Sequence, residues 1–141
     1  MTSAILLPVD ISDGEDWRKA LDVAVAQARQ HKAALHVASV LPDLGTALVG
    51  GFFKPGFEAD ALARLGASLT EWTKANVPED VDVHPHVLHG KIYDEILRAA
   101  DRLGVDLIVM GSHRPALADY LLGPNAARVV RHAKQSVYVV R

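Results

Sequence analysis

Five short runs of apolar residues punctuate the chain: Ile5 to Val9, Leu35 to Leu41, Val81 to Leu88, Leu107 to Met110 and Val137 to Val140. Most are almost unbroken, which is the pattern of strands covered on both faces. The third alternates instead, as Val81-Asp82-Val83-His84-Pro85-His86-Val87-Leu88, and carries a proline. A proline has no amide to give a ladder, so this run is expected at a sheet edge.

Between the runs the period changes to that of a helix. Trp17, Ala20, Leu21, Ala24, Val25 and Ala28 form one stripe. Ser12 or Asp13 is the expected N-cap of that helix, with Glu15 and Asp16 in its first turn. Phe57, Ala61, Leu65, Leu69 and Trp72 form a second stripe, expected to end near Ala75-Asn76 ahead of Pro78. Ile92, Ile96, Ala99, Ala100 and Leu103 form a third, closed by Gly104. Ala126, Val129, Val130 and Ala133 form a short fourth. Strands alternating with helices predict βαβ units and a parallel sheet, and right-handed crossovers then set helices on both faces. One α/β domain over residues 1–141, without internal repeats, accounts for the whole pattern. The stretch Pro42 to Gly56, with four glycines and two prolines, is long for a connection. It reads as a variable surface loop, or else as a flap or binding loop.

Composition narrows the function. Fifteen Lys and Arg against seventeen Asp and Glu leave a net charge of −2, which gives no support to nucleic-acid or membrane binding. The absence of cysteine excludes disulfides and thiolate chemistry. The opening residues carry no signal-peptide pattern, and no apolar segment reaches the ~20 residues of a membrane span, so the expected location is the cytoplasm.

In an open α/β sheet, ligands bind beyond the carboxyl ends of the strands. Three features fall there: Pro8-Val9-Asp10 at the first tip, Met110-Gly111-Ser112-His113-Arg114 after the fourth strand, and Gly123-Pro124-Asn125 opening the last helix. Unpaired N–H groups and the positive end of the helix dipole suit that last position to an anion. Taken singly, Asp10 reads equally as a turn cap, Gly111 and Gly123 as turn glycines, and Arg114 as a solvated arginine. Their shared location is the stronger argument. His84 and His86, near Asp82 and His89, read as the solvent face of an edge strand rather than as metal ligands, and His132 reads as structural. No Walker-type loop and no Gly-x-Ser-x-Gly elbow is present, and Ser112 beside His113 is not a dyad, so no catalytic residue is assigned.

The segments Met110-Gly111-Ser112-His113-Arg114-Pro115, Tyr120-Leu121-Leu122-Gly123 and Asn125 to Ala133 resemble the C-terminal signature of universal stress proteins. Ile5 to Ser12 resembles that family's first strand, so the likeness spans the chain. The resemblance implies an open five-stranded sheet of order 3-2-1-4-5, of the adenine nucleotide alpha hydrolase-like type. It also implies a homodimer through Val137 to Val140, and bound ATP, usually with a divalent ion such as Mg. Carried over by residue, Pro8, Val9 and Asp10 would meet the adenine, and Val37 would offer backbone contacts. Met110 and Gly111 would pass the ribose and α-phosphate, with His113 and Arg114 beside them. Gly123, Pro124, Asn125 and Ala126 would face the outer phosphates.

Two departures stand against the family's glycine motif. Arg114 occupies its second glycine position, with the following loop one residue shorter, and Pro124 replaces a hydroxyl residue. Proline fits the first helical position but removes an N–H, whereas a guanidinium at Arg114 matches phosphate geometry. The expected function is a nucleotide-binding regulatory protein of the stress response. The alternatives are a dimeric stress-response protein, with weak or no nucleotide binding, that acts on an unidentified protein partner, and a nucleotidyl- or phosphoryl-transfer enzyme.

Overall fold

A computed structural model describes residues 2–12, 14, 16–42, 56–112 and 123–141. Nine elements follow one another: β1 (Ala4–Pro8), α1 (Arg18–His31), β2 (Ala34–Pro42), α2 (Phe57–Asn76), β3 (Val83–Gly90), α3 (Ile92–Leu103), β4 (Leu107–Gly111), α4 (Pro124–His132) and β5 (Ser136–Val140). The strands form one sheet of order β3-β2-β1-β4-β5, parallel at every pairing. The proline-bearing strand lies at an edge, as its alternation predicts.

The unbroken apolar runs are explained by two cores, one on each face. Ile5, Leu7, Leu35, Val37 and Val109 pack with Leu21, Ala24, Leu69 and Trp72, beneath α1 and α2. Leu6, Ala38, Leu88, Ile108 and Met110 pack with Ile96, Ala99 and Val129, beneath α3 and α4. Successive strand residues point to opposite faces, so β1 must be apolar at every position to serve both. Ile5, Leu6 and Leu7 are each fully buried. Removing any one to Ala leaves a cavity, at a cost of about 2–5 kcal/mol. No helix among the described residues is long and apolar enough to cross a membrane.

Boundaries depart from the sequence pattern in two places. α1 starts at Arg18, after Trp17 and without a side-chain cap, rather than behind Ser12 or Asp13. Ser12 is engaged elsewhere: its amide and hydroxyl both donate to Asp10 Oδ1. A local side-chain bond of this kind competes with helix initiation. Asp13 and Glu15 lie outside the described residues. The third strand begins at Val83, not Val81, and runs to Gly90, because its pairing with β2 continues to Pro42↔Gly90. The third helix ends as expected, with Gly104 at φ 66°, a left-handed position that favours glycine. Of the long Pro42 to Gly56 connection, residues 43–55 lie outside the described part.

Candidate functional site

The sheet order sets the location. β1 is flanked by β2 and β4, so the chain winds outward one way through β2 and β3 and the other way through β4 and β5. At such a switch the connections diverge and leave a crevice above the strand tips. A cleft of about 500 Å³ lies there. The tip of β1 contributes Pro8, Val9, Asp10, Ile11 and Ser12, and the tail of β2 contributes Ala38 to Pro42. Met110 and Gly111 come from β4 and Asn125 from α4, while Leu65, Ile92 and Ile96 supply apolar walls. A smaller cavity of about 130 Å³ adjoins it, sharing Pro8, Val9, Asp10 and Gly111 and reaching Asp16, Trp17 and Ala20.

The β1 tip is held rigidly. The Val9 amide donates to the Ala38 carbonyl at 2.8 Å, and the buried Ser39 hydroxyl donates to the Val9 carbonyl at 2.8 Å. Asp10 is exposed, and its Oδ1 is occupied by Ser12. It therefore caps the turn and lines the cleft at once; the two sequence readings of this residue are not exclusive. Gly111 does not occupy the left-handed region, and a methyl group added to it would meet no described heavy atom within 4 Å. Neither backbone conformation nor packing demands glycine here, so its smallness keeps open the space where the two cavities meet.

The donor side is the start of α4. Gly123 is its N-cap and is buried; Pro124 is the first helical residue and is exposed. Proline has no N–H, and the Ala127 amide already donates to the Gly123 carbonyl at 3.0 Å. That leaves the amides of Asn125 and Ala126 as first-turn donors, backed by the positive end of the helix dipole. Among the described residues no cationic side chain lines the cleft, and Asp10 is its charged group.

The sequence-derived site residues thus divide. Pro8, Val9, Asp10, Met110, Gly111 and Asn125 come together on one cleft. Ala126 is buried in the core under α4, so only its backbone is available. Val37 is fully buried in the opposite core, and β2 contributes Ala38 onward instead. His113 and Arg114 lie outside the described residues. Ser112 turns away: it is buried, and its hydroxyl donates to the Val140 carbonyl at 3.3 Å. Among the described residues no three His, Asp or Glu side chains are gathered to hold a metal ion. His132 stands exposed in the last turn of α4.

Sequence reasoning missed the β2 tail, Leu65, Ile92 and Ile96. The strand-tip rule applied to β2 would have found the tail. It also missed that His86 is half-buried against His36 rather than on an open solvent face.

Residues 1–141 match the model of the universal stress protein family. The chain belongs to that family. Universal stress protein G of Shigella flexneri is 33% identical to it over 147 aligned positions, covering 100% of each chain. A universal stress protein structure from Lactobacillus plantarum superposes with a TM-score of 0.76 at 24% identity, covering 99% of this chain and 98% of that one. A structure of the universal stress protein from Archaeoglobus fulgidus in complex with dAMP superposes with a TM-score of 0.65 at 21% identity, covering 99% of this chain and 98% of that one.

Proposed function

We propose that the protein is a regulatory module of the stress response that binds an adenine nucleotide, ATP with a divalent ion, in the cleft above β1 and β4. The observation that carries this reading is the convergence of Pro8-Val9-Asp10, Met110-Gly111 and Asn125 on one cavity of about 500 Å³. That volume suits a mononucleotide. The apolar walls from Leu65, Ile92 and Ile96 would take the base, and the amides of Asn125 and Ala126 the phosphates. Gly123 and Pro124 would frame that anion site, with Arg114 able to supply the missing cation. A family member that holds dAMP supports the choice of adenylate.

The reading includes a homodimer through β5. Among the described residues that strand has no partner on its outer side, and Tyr138 and Val130 are each 45% exposed. An edge strand with an exposed apolar side chain favours pairing with a second copy. Regulation then requires only that the nucleotide prefer one of two arrangements of the protein.

Native mass spectrometry and thermal melting with ATP, ADP and AMP, with and without magnesium, test both parts. Ligand at 100 times its Kd adds about 2.7 kcal/mol, which raises the melting temperature by roughly 5–10 °C for a chain of this size. No mass addition and no shift with any of the three would overturn nucleotide binding. A second reading, a dimer that acts by contact alone, is favoured by one observation: Pro124 removes an amide donor where the phosphates would sit.

A further inference from the structure

Towards the amino end of β2, two residues before Ala38 at the cleft, three imidazoles meet on the face covered by α3 and α4. His36 pairs in register with His84, and Ala38 with His86, so His36 stands between two histidines of the neighbouring strand. Its ring is stacked on His84 at 5.1 Å between centroids and lies 5.0 Å from that of His86. His36 Nδ1 and His86 Nε2 face one another at 2.9 Å, and both residues are partly buried. His84 is more open and is tied through Nε2 to Asp82 at 2.9 Å.

We propose that His36 and His86 form an acid-sensitive latch that holds the edge strand β3 on β2. Two ring nitrogens at hydrogen-bond distance share one proton between them: one donates, the other accepts. One added proton leaves that bond in place, as an imidazolium donating to an imidazole; a second makes both rings cationic, so that two N–H groups and two positive charges stand face to face. Every charged group facing the pair then matters. His84 on β3 faces both rings and disfavours their charged forms, and Arg102 of α3 is already positive towards His86. Among the described residues, Asp82 opposes them at His36.

Burial, then the neighbouring imidazoles, hold His36 below the ordinary histidine range, with Asp82 pulling weakly the other way. Burial, then Arg102 and His84, do the same for His86. The folded protein thus binds these protons less readily than the unfolded chain. The latch is intact above the unfolded histidine value of about 6.5 and is lost as pH falls through the lower folded values. Among the described residues no three His, Asp or Glu side chains are gathered to hold a metal ion, these three included.

The strand held by this latch is the one most easily released. Among the described residues β3 has a strand neighbour on one side only. Its far end carries the His89 to Glu58 contact at 2.9 Å, which ties it to the start of α2.

Hydrogen exchange read by mass spectrometry at pH 7.5 and 5.5 tests the latch. Protection factors over residues 83–90 should fall on the order of tenfold in acid, while those of β1 and β4 hold. In the His36→Gln/His86→Gln protein, whose amides keep a hydrogen bond but take no proton, the acid response should vanish. An equal loss of β3 protection in that variant overturns the proposal. Should the variant not fold, NMR titration of the wild-type imidazoles decides. His36 and His86 must titrate below the ordinary histidine value of about 6.5; titration at or above it refutes the latch.

Discussion

Replacing Pro124 by serine separates the folding role of this position from its ligand role, because the two effects have opposite signs. Pro124 is the first residue of α4, is exposed, and has no side-chain cap beside it. Its fixed φ is already helical, so proline here limits the unfolded chain at no cost to the native one. Pro124→Ser should therefore destabilise the empty protein by about 0.4–1 kcal/mol. For 141 residues that is a fall of roughly 1–4 °C in melting temperature.

The serine also restores an N–H and adds a hydroxyl at the mouth of the anion site. Together with Asn125 and Ala126 it raises the first-turn amide donors from two to three. One charge-assisted hydrogen bond contributes about 1.5–3 kcal/mol, which is roughly a tenfold to 150-fold gain in affinity for ATP. Isothermal calorimetry of both proteins, with melting curves of each without ligand, gives the two numbers independently. A variant that melts slightly lower yet binds ATP at least tenfold tighter meets the expectation. Unchanged affinity would refute the placing of phosphates at the start of α4, whatever happened to stability.

Gly111→Ala should stabilise the empty protein by about 0.4–1 kcal/mol, since the strand position accepts a side chain and an added methyl meets nothing among the described residues. The same methyl occupies the space shared by both cavities, so nucleotide affinity should fall by about 1–3 kcal/mol; a stabilised protein with undiminished binding would show that no ligand passes over the end of β4. Asp106 fastens the first strand, its carboxylate accepting the Ser3 amide at 2.9 Å and the Ser3 hydroxyl at 3.1 Å. Burial raises its pKa, but the donors from Ser3 and Ala4 outweigh that and hold it below the usual aspartate range. Its stabilisation is therefore present above the unfolded value of about 3.9 and lost as pH falls through the lower folded one. Asp106→Ala should cost on the order of 1 kcal/mol at pH 7, and melting curves of the two proteins should converge in strong acid; a constant gap would assign the loss to packing instead.

The architecture was legible because each strand's surroundings are written into its period. Ile5-Leu6-Leu7 is apolar at every position since Leu6 serves one core and its neighbours the other. Val83 to Leu88 alternates because only part of an edge strand is covered. The start of α1 was not legible for a specific reason. Ser12 is a sound N-cap by propensity, and nothing in the local sequence says that Asp10 will claim its amide and hydroxyl. Local preference lost to another local bond, not to tertiary packing.

The site was legible in halves, and the division has a physical cause. Strand tips and helix starts announce themselves through changes of pattern, as at Pro8-Val9-Asp10 and Gly123-Pro124-Asn125. The walls do not. Ile92 and Ile96 belong to the same apolar stripe as Ala99 and Ala100, and periodicity gives the face a residue points to but not how far along the sheet it lies. Ile96 is buried at the cleft floor while Ile92, one turn earlier, is 36% exposed. Only the registration of α3 against the strand ends separates core from wall. The histidine pair was hidden by the same limit in sharper form. His36 is the one titratable residue of β2, and its partner lies 50 residues away. What joins them is the pairing offset between β2 and β3: a slip of one residue would turn His86 to the opposite face and leave His36 without its partner. The chemistry at both ends of β2 therefore depends on sheet register, which no pattern within a single strand contains.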